Sequence, residues 1–202
     1  MTSPNQIKPV AITRADIMPM PEYAGIRREQ RKRISDLKRS RRIEVGPYST
    51  FYFENYDTMW HQIHEMLFVE KGGEAQIQDE IEAYNPLIPN GSELIATVMF
   101  EIAESARRTA VLHMVGGIEH HMLLSIGGDT IRGEPDAERE NTSEEGKASS
   151  VQFVRFTLTE AQKAAFKSAA PVMLGFDHPR YGHLAAMPPA IREALAQDLT
   201  GQ

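Results

Sequence analysis

The sequence predicts an α+β fold, a mostly antiparallel sheet packed with an N-terminal basic helix, a central helix pair and a C-terminal helix. Three observations predict it. Short β-favouring runs outnumber the helices long enough to cross over between parallel strands. Helical periodicity gathers near the start, in the middle and at the end of the chain. No repeat or linker divides the 202 residues, so residues 21–202 read as one domain behind an extended arm at residues 1–20.

From Pro21 to about Arg42, residues Tyr23, Ile26, Gln30, Ile34 and Leu37 recur at spacings of three and four, with basic residues elsewhere. This is an amphipathic basic helix. In "RIEVGPYSTFYFEN", Gly46-Pro47 separates two β-favouring runs, Arg42 to Val45 and Thr50 to Phe53, which predicts a hairpin. Asp57 or Thr58 is then a candidate N-cap for a helix through Glu70, ended by Gly72-Gly73. A more polar helix, Glu74 to Tyr84, stops at the loop "NPLIPNG".

The clearest strand is "ELIATVMFEI", and "ESARRTAVLHMVGGI" reads as a short helix broken at Gly116-Gly117. Strands are expected in "HHMLLSIGG" and "DTIRG". Residues 133–150 carry six acidic and two basic side chains with almost no apolar ones, which predicts an acidic mobile loop. "SVQFVRFTL" alternates as a strand, and a helix follows from Thr159 to Ser168. "PVMLGF" and "YGHLAAM" are strands joined by "DHPR", and "PPAIREALAQDL" is the C-terminal helix, with proline in its first turn.

With 41% hydrophobic and 25% charged residues the chain is able to bury a core, which excludes wholesale disorder. Prolines occupy the N-terminal stretch where a signal peptide needs an apolar run, and no stretch reaches membrane-span length, so a cytoplasmic protein is expected. The absence of cysteine removes disulfides, thiolate metal sites, cysteine-ligated iron-sulfur clusters and thiol nucleophiles.

The net charge of −6 conceals a split. Between Arg27 and Arg42 nine basic residues face only Glu29 and Asp36, whereas the remaining 13 basic and 26 acidic residues make the rest strongly negative. The basic helix therefore seeks acidic partners, in its own chain or in another protein. Nucleic acid is disfavoured, because the whole is acidic and no aromatic residues interleave with the arginines to stack on bases. Interface or structural ion pairs are expected from Arg27, Arg31, Lys38, Arg41 and Arg42, with Glu54 and Glu70 as acidic counterparts. Glu70 falls on the apolar face of its helix near the C-terminus, where its charge needs a cation.

In "TMWHQIHEML" the side chains of His61 and His64 lie one turn apart, with Glu65 beside them. They could hold a divalent metal. The spacing is not the i,i+4 pair with intervening glutamate of a helical zinc protease, and a packing or solvent-facing role is the competing reading. "DHPRYGH" gathers Asp177, His178, Arg180, Tyr181 and His183 as a possible anion-orienting turn, although Pro179 also suits an ordinary polar turn. His120 and His121 fall in an expected strand and point to opposite faces. No phosphate loop, dinucleotide fingerprint or nucleophile elbow occurs, so no resident cofactor is expected.

Glu22-Tyr23, Arg27, Arg31, Lys38, Arg41-Arg42, Gly46-Pro47, "FEN", Thr58, Gln62-Ile63, Glu65-Met66 and Glu70 form an ordered set, followed by "YNPLIP", "ELIATVMFEI", "HPRY" and "ALAQDL". In this combination the chain resembles the bacterial DUF3501 family, a domain of unknown function, over most of its length. It departs from the family's usual pattern at His61 and in the acidic loop. The resemblance implies an accessory protein that works with rubrerythrin-like or iron-sulfur oxidoreductase partners in redox or peroxide metabolism. The alternative is a metal-binding protein or metal-dependent enzyme using His61, His64 and Glu65.

Overall fold

Strand β3, Glu93–Phe100, is buried on both faces, and this organises the molecule. Leu94, Ala96, Val98 and Phe100 point into one apolar core, while Ile95, one residue out of phase, enters a second. A strand with a core on either side reads as a near-continuous apolar run, as "ELIATV" does. The computed structural model describes residues 11–168 and 170–200.

Helix α1, Met20–Arg39, leads into the hairpin β1, Arg42–Val45, and β2, Ser49–Phe53. Helices α2, Tyr56–Glu70, and α3, Glu74–Tyr84, form the central pair and are followed by β3. Next come α4, Ser105–Met114, and strands β4, Met122–Ile126, β5, Asp129–Arg132, β6, Glu134–Pro135, and β7, Val151–Thr157. Helix α5, Glu160–Lys167, hairpin β8, Val172–His178, and β9, Tyr181–Ala186, and helix α6, Pro189–Ala196, complete the order. The α+β prediction holds.

The single expected sheet is two antiparallel sheets, ordered β1-β2-β3-β7-β6 and β5-β4-β8-β9. The first core joins inward residues of both, such as Phe51, Phe53 and Phe156 from one and Leu124, Leu174 and Phe176 from the other. Tyr181 ties them together: its hydroxyl donates to the Val45 carbonyl at 2.9 Å and accepts from the Tyr48 amide at 3.0 Å. The second core lies on the other face of the five-stranded sheet, where Met59, Ile63 and Leu67 of α2 and Ile77 and Ile81 of α3 cover Ile95.

Residues 1–10 of the expected arm lie outside the described residues, but residues 11–19 are packed against α2 and α3. Ile12 and Ile17 enter the second core, Asn85 bonds both main-chain polar groups of Ile12, and Arg14 pairs with Glu74. The acidic segment at 133–150 contains β6, a Thr142–Ala148 bridge and a buried Ala148, so it is built onto the fold despite its composition. His120 ends a 3-10 turn and His121 precedes β4, which corrects the strand expected there. No helix among the described residues is long and apolar enough to cross a membrane.

Candidate functional site

On α1, Tyr23, Arg27, Arg31, Ile34 and Lys38 follow one another at four, four, three and four residues and so share a face. Tyr23 and Ile34 are buried, which draws that face onto α2 and brings the charged members with it. The answering residues on α2 are His61, Gln62 and Glu65.

Arg27 grips Glu65 with two parallel bonds, Nε to Oε1 at 2.8 Å and Nη2 to Oε2 at 2.9 Å, and lies over the Phe68 ring. The Tyr23 hydroxyl donates to Glu65 Oε1 at 2.8 Å and lies 3.1 Å from His61 Nδ1. Glu65 accepts only, so the single hydroxyl proton goes to it, and His61 must supply the proton of the second bond. This assigns the Nδ1–H tautomer to His61 and leaves Nε2 with a free lone pair.

The charge states agree with this chain of bonds. The Arg27 hydrogen bonds hold the Glu65 carboxyl below its ordinary value, with Tyr23 adding to the effect. Burial and the Glu65 charge push the Tyr23 hydroxyl well above its usual range, so it stays protonated. Burial lowers His61, and Lys38 and Arg33 assist against the opposing pull of Glu65. His61 is neutral at pH 7.

His61 and Glu65 open onto a groove of about 680 Å³ between α1, α2 and the β1-β2 hairpin, also lined by Arg31, Lys38, Arg39 and Arg42. Tyr52 and Gln62 complete its polar wall. Arg39 is shared with Asp36 at 3.2 Å, and Glu65 is neutralised by Arg27. Among the described residues, Arg31, Lys38 and Arg42 have no acidic partner within ion-pair distance, so the groove carries surplus positive charge.

The other expected ion pairs are distributed differently. Arg41 is buried beneath the sheet end, where it donates to the Phe53 and Glu54 carbonyls and pairs with Asp198. The Glu54 side chain is buried too, but it accepts from Thr97 at 2.7 Å and does not reach the basic helix. Glu70 is exposed and accepts from Gln76 at 2.7 Å, contrary to the expected cation pair. The apolar face of α2 ends at Leu67, and the last turn, with Val69 63% exposed, lies beyond the core.

His64 does not join His61 on a metal. It is fully buried, its Nδ1–H donates to the Trp60 carbonyl at 2.7 Å, and its Nε2 accepts from the Met18 amide at 3.2 Å. Both nitrogens are used, and burial lowers its pKa. Among the described residues no three His, Asp or Glu side chains converge as a metal set.

The "DHPRYGH" residues spread apart along the β8-β9 turn. Partial burial acts to raise the Asp177 carboxyl, but Arg132 at 2.5 Å and His121 at 3.0 Å outweigh it and hold the group below its usual value. His178 is buried, with its Nδ1 accepting from the Arg180 amide, while Arg180 is exposed. Tyr181 points inward to tie the sheets, with His183 against its ring. They do not converge on one ligand.

Tyr23 is the site residue that sequence reasoning left on an apolar stripe without a role. Its signal was available, because a buried tyrosine needs a hydroxyl partner and α2 offers a carboxylate.

A solved structure described as a novel protein of unknown function from Burkholderia pseudomallei K96243 is 36% identical, with a TM-score of 0.87 over 94% of this chain and 99% of that one. No curated protein matches. The model of the family described as protein of unknown function (DUF3501) matches residues 11–199. The chain therefore belongs to the DUF3501 family.

Proposed function

We propose that this protein is a cytoplasmic accessory protein that docks an acidic surface of a redox partner on the basic face formed by α1 and β1. The carrying observation is that Arg31, Lys38 and Arg42 line one groove without acidic partners among the described residues. Cations left uncompensated on an acidic protein steer complementary surfaces together and fix their orientation. The partner class, a rubrerythrin-like or iron-sulfur oxidoreductase, comes from what the family resemblance implies. Having no cysteine, the chain would serve such a partner without carrying a thiolate-bound redox centre itself.

The test is binding of purified protein to a rubrerythrin and to an iron-sulfur oxidoreductase by calorimetry at low ionic strength. Association is expected to weaken about tenfold or more when salt is raised to shorten the screening length, and to vanish when Arg31, Lys38 and Arg42 are all changed to glutamate. Absence of binding to both partners at low salt overturns the reading.

A further inference from the structure

The groove has more than charge. Its unpaired cations come from α1 and β1, and they meet at a histidine whose ring is held from behind by Tyr23, itself held by Glu65 and Arg27. A patch that only attracts an acidic protein surface needs no such support. We propose that the groove binds a phosphate-type oxyanion, free or as the phosphoryl end of a larger molecule, with Arg31, Lys38 and Arg42 meeting its charge and His61 Nε2 its proton.

Four features favour this chemistry. Glu65 is already neutralised by Arg27, so the charge of Arg31, Lys38 and Arg42 remains for a ligand, and a phosphate dianion answers more of it than one carboxylate does. Guanidinium forks also match the several acceptor oxygens of a phosphoryl group. At about 680 Å³ the groove is in the range of sites for organic molecules, so it has room for a body behind the phosphate.

The fourth feature is the tautomer. Arginine and lysine only donate, so a phosphate that still carries a proton needs an acceptor, and the lone pair on His61 Nε2 provides one. A phosphomonoester loses its second proton near pH ~6, close to the range in which a histidine titrates, so ligand and imidazole compete for one proton. His61 faces Glu65 and His64 on its own helix and Tyr23, Arg33 and Lys38 on α1, with Arg42 and Tyr52 across the groove. In the free protein, burial and the two cations favour the neutral ring. A bound dianion reverses that balance and raises the His61 pKa, so binding strengthens as pH falls through it.

The experiment is an NMR titration of the histidine signals of the full chain with inorganic phosphate, glycerol 3-phosphate and succinate at matched ionic strength. Saturable binding of at least one phosphate ligand is expected, with the His61 pKa raised by about one unit. Arg42→Gln should weaken it about tenfold, and His61→Phe should remove its pH dependence. Arg42 is exposed and His61 half-buried, and circular dichroism verifies that both variants fold. Tighter binding of glycerol 3-phosphate supports a phosphorylated metabolite, and equal binding supports phosphate itself. Succinate binding as tightly as either, an unmoved His61 titration, or undiminished binding to Arg42→Gln overturns the proposal. No protein partner is present in this titration, so its failure leaves docking through α1 standing, and failed docking leaves the phosphate result standing.

Discussion

His61 and His64 are three residues apart and have opposite roles. His64 is closed off by two main-chain partners, whereas His61 keeps one nitrogen for the groove. Beyond the Trp60 carbonyl one turn back on α2, the deciding neighbours are Tyr23 of α1 and Met18 of the N-terminal segment, both distant in sequence, so the two rings look equivalent until the chain is folded. Both pKa values lie below that of a free histidine, and Glu65 lies below that of a free carboxylate. The unfolded chain therefore takes up protons at a higher pH than the folded one does. Stability is full above about pH 7, begins to fall as pH drops through about 6.5, where unfolded histidines protonate, and falls further below about pH 4.5 as unfolded Glu65 does. Urea denaturation between pH 8 and 4 is expected to show this decline. Replacing His64 with glutamine should flatten its upper part, and a curve level from pH 8 to 5 would contradict the assignment.

Element boundaries were largely legible because local chemistry sets them. The hairpin around Gly46-Pro47 and helix α3 form where turn signals and periodicity placed them. Helix α2 begins earlier than Asp57 or Thr58. Asn55 is its cap, accepting from the Thr58 amide at 3.0 Å, while Thr58 Oγ1 accepts from the Asn55 amide at 2.9 Å. Threonine here plays the part usually given to glutamate in a capping box, which disguised the motif. Asn55→Ala should lower stability by about 1 kcal/mol, measured by chemical denaturation. The acidic segment was misleading for a different reason. Its charges face outward, but the Thr142 hydroxyl reaches Glu119 at 2.8 Å and Ala148 fills the first core, long-range contacts to which composition is blind.

For the whole molecule, the sequence shows that strands exist but not which strands pair. Strand β3 joins β2 and β7, both distant in sequence, and the partition into two sheets is decided by which apolar faces meet. Gly175 marks how closely the second sheet is built, since an added methyl would collide with the His183 carbonyl on the adjoining strand. Gly175→Ala should cost about 3 kcal/mol through forced separation of β8 and β9, seen as a lower thermal midpoint. The same long-range assembly produces the groove: α1 and β1 supply the cations, α2 the histidine and carboxylate, and Tyr52 of the hairpin part of the far wall.

Trp60 is the sole tryptophan of the chain. Its indole lies 3.8 Å from the His64 ring and donates to the Asp16 carbonyl at 2.8 Å, at the junction of α1, α2 and the N-terminal segment. The protein thus contains its own optical probe. A protonated imidazole in contact with an indole quenches its emission, so fluorescence should dim when His64 takes up a proton and recover when the ring is neutral again. Loosening of that junction should be visible without any label.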